Sequence, residues 1–475
     1  MRTTGQAPIV VCAELKPLVF DAHNMFAGAA RVLADNAVPG LLTVGDDIAP
    51  AGSLATSWGW ENPTTAWFEI AEGHRFVTGR ELDAEAVREN LLRIRRAKGA
   101  IFNPTEYEAI ASVEAVGRRV IVRLDRPFAP LFGVLANGVG MVDMTSGEPP
   151  QNLTGAGPFR ITGSSFEALT LEKIAGAQRK IEWRYCTSKA ARIRRVRNDA
   201  ADVLIGGSGG EIAAERGWTQ MSTPAPGPTH VVFNMRRTPT SSLGFRRAVA
   251  EALDPAEILA EGIGGQGRIA RAPFPMDSAF PVGDAPGPRE SAPLPQRPDE
   301  LVLGIGGDEL LPTARAVARA IRHRLGIRVR ITIVLVTDWW PRQYLAGDWD
   351  LALLPTNPLP DPHLVYARRY ATNGVHNGCG YSNHDFDRLV TAAAATVNAL
   401  ERLQLYREAE AIRAADLPSH YLYFPDRVAW IRPGVTGLEL RRSRAVDLSR
   451  LQLETDAQTL SSLSNNPPLA KIARA

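Results

Sequence analysis

The stretch "LLPTNPLPDPH" (353–363) places a carboxylate, Asp361, two residues before an imidazole, His363, among four prolines at 355, 358, 360 and 362. Proline fixes φ and reduces the conformational freedom a turn must surrender when it is ordered. A carboxylate held this way could meet an ammonium or a hydroxyl of a ligand. It could equally accept from the first amides of a following helix that has Pro362 at its first position. His363 could cap that helix or touch ligand. Asn357 stands on the same turn, and His376 lies on the following loop "TNGVHNG". Tyr381 and Asn383 share the turn "YSN". Trp339 and Trp340 follow Asp338 and offer indole faces suited to padding a cleft, or one core and one half-exposed ring at a helix start. Phe20 and Asn24, in "FDAHN", follow the first strand-like run.

Other chemistry is weaker. Residues 206–210 read G-G-S-G-G, which fits the G-x-S-x-G pattern of an acyl hydrolase with Ser208 as nucleophile. Four flanking glycines would loosen a serine that an elbow must hold rigidly. "GIGGDE" (304–309) lacks the third glycine of a dinucleotide fingerprint. Eight histidines are scattered with no HExxH pair, so no all-protein metal site and no resident cofactor is expected. Cys12, Cys186 and Cys379 are far apart and form no CxxC pair, and their spacing does not argue for a disulfide.

The elements around these residues mix helix and strand. The chain has 475 residues and a net charge of +3, which demands neither nucleic acid nor an anionic membrane. Arginine-rich "RIRRVR" (192–197) reads as a solvated face. No apolar run reaches the ~18–20 residues of a membrane span. Residues 8–15 read as a strand, 29–42 as a helix ending near Gly40, and 66–70 as a strand. Asp83 is placed to cap a helix over 86–94. Strict alternation marks 118–124 as a strand, followed by a helix-like "PLFGVLANG". The clearest unit is "ELVLGIGG", "LLPTARAVARAIRHRLG", "IRVRITIVLV", a strand–helix–strand that implies a parallel pair with a right-handed crossover. "DWDLALLP" adds a strand, two helices follow, and "SHYLYFPDRVAWI" is strand-like again.

In their order, several segments resemble the extracytoplasmic solute-binding proteins of ABC importers, in the peptide- and nickel-binding family 5. They are "TAWFEIAEGHRFVTGRELDAEAVRENLLRI", "VRLDRPFAPLFGVLA", "GAGPFRI", "VVFNMRRTPTSSLGFRRAVAEALDPAEIL", "WDLALLPTNPLPDPHLV" and "GYSNHDFDRLVTAAAA". The resemblance implies an α/β, two-lobed periplasmic-binding-protein-like fold (type II, cluster C), with ligand held between the lobes. Lobe I would comprise 1–232 plus 428–475, and lobe II 233–427. The chain would be a non-enzymatic, monomeric partner of an ABC permease, taking a peptide, a nickel chelate or metallophore, or a related polar compound. Peptide-binding members place an aspartate about three residues before the acid at 361, where this chain has Pro358. "DPH" is more like the nickel- and metallophore-binding members, in which a histidine on the next loop reaches the metal, so His376 is the candidate in a chelate complex. Those members also hold carboxylates with arginines after the "P-F-x-P-L" segment; residues 134–143 have none, and Arg368 or Arg369 could substitute or simply lie on a helix surface.

The N-terminal apolar run is short for a secretory signal. The chain as given is therefore either a mature periplasmic or cell-surface form, or a cytoplasmic ligand sensor of the same fold.

Overall fold

The computed structural model describes residues 7–13, 21–23, 31–96, 106–149, 152–165, 167–175, 180–186, 188–283, 297–334, 344–357, 359–443 and 446–454. Its centre is a 12-stranded mixed sheet. From one edge to the other run Arg328–Ile333, Glu300–Ile305, Leu351–Pro355, Thr229–Phe233, Ser419–Ile431, Val203–Ile205, Ile9–Ala13, Lys180–Tyr185, Ala168–Lys173 and Phe159–Ser164. Thr219–Pro224 and Gly267–Ile269 pair with the long strand Ser419–Ile431 off this path.

The apolar run at 351–354 shows why these strands form. Leu351 and Leu353 enter one buried cluster with Val231, Phe233, Leu301 and Leu303, and Ala352 and Leu354 enter another on the opposite face. Period-two alternation between two cores is what a strand covered on both faces requires. Ile9–Ala13 divides likewise: Ile9, Val11 and Ala13 face one cluster, Val10 and Cys12 another. The expected crossover unit is present, with the helix Leu311–Leu325 joining the parallel strands Glu300–Ile305 and Arg328–Ile333. Gly326 ends that helix in the left-handed region at φ 64°, where glycine carries no Cβ penalty.

A separate antiparallel sheet, Ala55–Asn62, Thr65–Ile70, Arg119–Leu124, Ile110–Val116, carries the helix Ala84–Arg96. Asp83 caps that helix as expected, accepting from the Ala86 amide at 2.9 Å. Two expectations change. Of the helix expected over 29–42, the described residues form Arg31–Asn36, and it ends before Gly40. Gly40 lies so close to Val139 that a Cβ there would stand 2.2 Å from its carbonyl oxygen, so the chain leaves the helix to pack. The arginine-rich segment forms the helix Lys189–Arg197, and Arg192 is only 1% exposed rather than solvated. It donates to the carbonyls of Ile205 and Ser208, at 3.2 and 2.6 Å, and so pins the turn that follows Val203–Ile205.

Candidate functional site

The register of the long strand sets where a site can form. Its first part, Ser419 to Tyr423, pairs with Thr229–Phe233; its last part, Ala429 to Ile431, pairs with Val203–Ile205. Leu351–Pro355 is antiparallel to Thr229–Phe233 and therefore runs in the direction of the long strand, ending level with Tyr423. Val203–Ile205 and its parallel neighbour Ile9–Ala13 run the opposite way, with Ile205 opposite Ala429. The carboxyl ends of the two parallel groups thus point at each other. They are separated along the strand by the interval from Tyr423 to Ala429, roughly 20 Å at about 3.3 Å per residue. Ligands in α/β folds sit outside the carboxyl ends of parallel strands, and here two such rims face one gap.

Two chain connections bridge that interval side by side. One is the long strand itself. The other is the segment 225–228 between Thr219–Pro224 and Thr229–Phe233. It grips the proline-rich turn directly: Thr356 donates its amide to the Pro228 carbonyl at 2.8 Å. A Cβ on Gly227 would lie 1.9 Å from the Thr356 carbonyl oxygen, so only glycine permits this approach.

The turn itself is built into the frame. Asp361 is 3% exposed. Arg402, on the helix Ala399–Asp416, donates to its two carboxylate oxygens at 2.7 and 2.6 Å, and the His363 amide donates to Oδ1 at 2.8 Å. The cap open to Asp361 is thus formed, and Arg402 pairs with its charge. From the other side comes the helix Leu131–Ala136, where a Cβ on Gly133 would stand 2.4 Å from Asp361 Cβ. His363 begins the helix His363–Arg369, is partly buried, and meets Phe128 edge to face at 5.5 Å. Burial lowers its imidazole to about 4, so it is neutral at pH 7.

His376 is 8% exposed; its amide donates to the Arg368 carbonyl at 2.7 Å, and burial, with Arg369 and Arg368 nearby, lowers its imidazole to about 2. Tyr381 is buried, donating its hydroxyl to Asp416 at 2.8 Å, and Asn383 caps the helix His384–Ala395 through the amides of Asp385 and Phe386. This "YSN" turn is a packing device. Asn357 lies on the turn next to Thr356 and is partly exposed. Phe20, Asn24, Trp339 and Trp340 lie outside the described residues.

Three buried charge clusters were not read from the sequence. Arg368 is 7% exposed, not a surface arginine, and donates from Nε and Nη2 to the two oxygens of Glu106, both at 2.5 Å. Arg413 pairs with Glu410. In "FDAHN", Asp21 accepts from Arg93 at 3.2 and 3.1 Å, while His23 bridges Arg93 Nη1 at 2.9 Å and Asn90 Oδ1 at 2.8 Å. Among the described residues, no cluster of three or more histidine, cysteine, aspartate or glutamate side chains could hold a metal ion. No described helix is long and apolar enough to cross a membrane. Ser208 is half-buried on a turn, and its carbonyl accepts from Arg192.

Comparison with known proteins gives the family and the fold. Residues 49–377 match the family described as bacterial extracellular solute-binding proteins, family 5 Middle. A probable D,D-dipeptide-binding periplasmic protein of Escherichia coli K12 is 24% identical over 412 residues, covering 78% of each chain. Among solved structures, a dipeptide-binding protein from Pseudoalteromonas sp. SM9913, in complex with Met-Leu, superposes with a TM-score of 0.79 at 18% identity, over 94% of this chain and 100% of that one. NikA from Staphylococcus aureus, in complex with Ni(L-His)2, gives a TM-score of 0.78 at 17% identity, over 94% and 99%. The facing strand ends, the paired connections and a match across more than half the sequence lead to one conclusion: the chain is a two-lobed α/β protein that belongs to the family 5 bacterial extracellular solute-binding proteins.

Proposed function

We propose that the chain captures one small polar solute, a short peptide or a nickel chelate, between its two lobes and presents the closed form to an ABC permease at the cell surface or in the periplasm. The observation that carries this reading is the opposition of the two sets of carboxyl strand ends across the interval bridged by 225–228 and 424–428. In this reading lobe I is 1–232 plus 428–475, lobe II is 233–427, and those two connections are the hinge. A solute that touches both rims favours the closed arrangement by its differential contacts there, and closure is the signal a permease reads.

Within the site, Asn357 and the segments holding Phe20, Asn24, Trp339 and Trp340 meet the ligand. Asp361 and His363 act one step removed, by fixing the proline-rich turn through Arg402 and Phe128, and Tyr381 by fixing the "YSN" turn through Asp416. His376, neutral at pH 7, has the protonation state a nickel chelate would need from it. Pro358 in place of an aspartate argues against amine capture at that position, so the ligand's charge is met elsewhere on the rims.

Calorimetric titration of the full chain with Met-Leu, a D,D-dipeptide and nickel with L-histidine tests the reading, together with mass spectrometry of whatever co-purifies. Saturable binding of one molecule per chain is expected. No heat from any of the three and no co-purified solute would overturn it.

A further inference from the structure

The spacing of the cysteines hides a pair. Cys12 lies on Ile9–Ala13, and Cys186 directly follows the neighbouring parallel strand Lys180–Tyr185, in which Tyr185 stands opposite Ala13. The Cys186 amide donates to the Ala13 carbonyl at 2.7 Å, holding the chains together just past the strand ends. By that register the two side chains lie on one face of the sheet, two residues apart along neighbouring strands. Both are buried, at 0% and 4% exposure, in a cluster with Val10, Val196, Leu204 and Trp218. Cys186 is nevertheless not sealed. It lines a cavity of about 370 Å³ whose walls include Arg184, Arg194, Arg195 and Asn198. Glu167 also lines that cavity, and Arg184 is paired with Glu182.

We propose that Cys186 and Cys12 form a dithiol–disulfide site, entered through this arginine-lined cavity by a low-molecular-weight disulfide bearing carboxylates. The electrostatics suit the attacking role of Cys186. The neighbouring Cys12, with Arg195 and Arg192 beside it, lowers the Cys186 thiol to about 7, whereas Cys12 is raised by Cys186 and by burial. The thiolate is the nucleophile, and a pKa near ambient pH best balances thiolate fraction against the intrinsic nucleophilicity that falls with pKa.

The chemistry runs in two exchanges. Cys186 thiolate attacks one sulfur of the incoming disulfide, forms a mixed disulfide and expels the other half as a thiolate. Cys12 loses its proton to that thiolate and attacks Cys186 Sγ, closing the Cys12–Cys186 bond and expelling the second half as a thiolate that takes a proton from water. Two protein thiols are oxidised and one small disulfide is reduced to two thiols. An oxidising compartment would keep the bond closed. The inference stands independently of which solute the cleft takes.

The test uses the full, pre-reduced chain. It is incubated with glutathione disulfide or, in parallel, with cationic cystamine, then quenched with iodoacetamide in guanidinium and digested without reduction for mass spectrometry. The expected products are a Cys12–Cys186 cross-linked peptide and an alkylated Cys379, with glutathione disulfide reacting several-fold faster than cystamine. Cys12→Ser should stall as a glutathione adduct on Cys186, and Cys186→Ser should leave Cys12 unmodified. Recovery of Cys12 and Cys186 both alkylated in the wild-type chain would overturn the pairing. Equal rates for the two oxidants would overturn the role given to the arginines.

Discussion

Arg402 and Asp361, 41 residues apart, face each other as a buried bidentate pair at 2.7 and 2.6 Å, and the same carboxylate caps the helix His363–Arg369. The turn that closes one rim of the cleft is thus held by a charge pair that water barely reaches. Removing one partner leaves the other buried and uncompensated, which costs about 3–5 kcal/mol. Asp361→Ala and Arg402→Ala should each lower unfolding stability by that order in urea titrations. The double substitution should cost clearly less than their sum. Strict additivity would show that the pair is not energetically coupled.

Gly227 is expected to tolerate no side chain. Alanine there would drive a Cβ into the Thr356 carbonyl, so either the connection or the proline-rich turn must shift. Gly227→Ala should lose about 1–3 kcal/mol, the usual cost of overpacking. It should also weaken solute binding, because the turn and the connection move together. A variant with unchanged stability and unchanged affinity would show that the contact is loose in solution.

Acid should destabilise the protein well before most of its carboxylates titrate. His23 is 1% exposed, and burial lowers its pKa to about 4 despite its hydrogen bond to Asn90; His363 is also lowered to about 4. Both values lie below the ordinary ~6.5, so between these limits the unfolded chain binds more protons than the native one. The stabilisation from the neutral rings is fully present above pH 6.5 and is lost as pH falls toward 4. Each ring contributes a slope of up to about 1.4 kcal/mol per pH unit. His23→Gln should flatten the stability curve between pH 6.5 and 4 relative to wild type. Parallel curves would show that His23 is protonated in the native state.

Arg368 and Glu106 join a helix of the proposed second lobe to a segment of the first, with side chains only 8% exposed on both partners. Arg368→Met should cost about 3–5 kcal/mol for the same reason as the Arg402 pair. Glu106→Gln in the Arg368→Met background should recover part of that loss, because it removes the stranded charge. Absence of any recovery would mean that Glu106 regains its hydration when Arg368 is gone.

Much of the framework was legible because it is local. The run at 351–354, the unit spanning 300–333 and the Asp83 cap each announce themselves within a few residues, through periodicity and capping chemistry. The site was legible only as a place. Asp361 read as a poised carboxylate, yet its partner sits on a helix 41 positions away whose sequence carries no mark of that pairing. Arg192 and Arg368 read as surface charges because arginine usually is, and only the packed structure shows the carbonyls and the carboxylate that accept from them. Cys12 and Cys186 are brought onto neighbouring chains by a parallel strand pairing that no spacing rule reports. Asn383 ahead of the helix His384–Ala395 is a short-range capping signal, whereas the Tyr381–Asp416 hydrogen bond joins residues 35 positions apart and has no local mark.

Solution X-ray scattering, on the chain alone and with whichever of Met-Leu, the D,D-dipeptide or nickel with L-histidine binds, probes most directly whether two rigid halves shut around a trapped solute. A compact chain of this length has a radius of gyration of about 23 Å. The account predicts that saturation lowers the measured radius and narrows the pair-distance distribution, and that Gly227→Ala blunts the change. Full calorimetric saturation with superimposable scattering curves would contradict it.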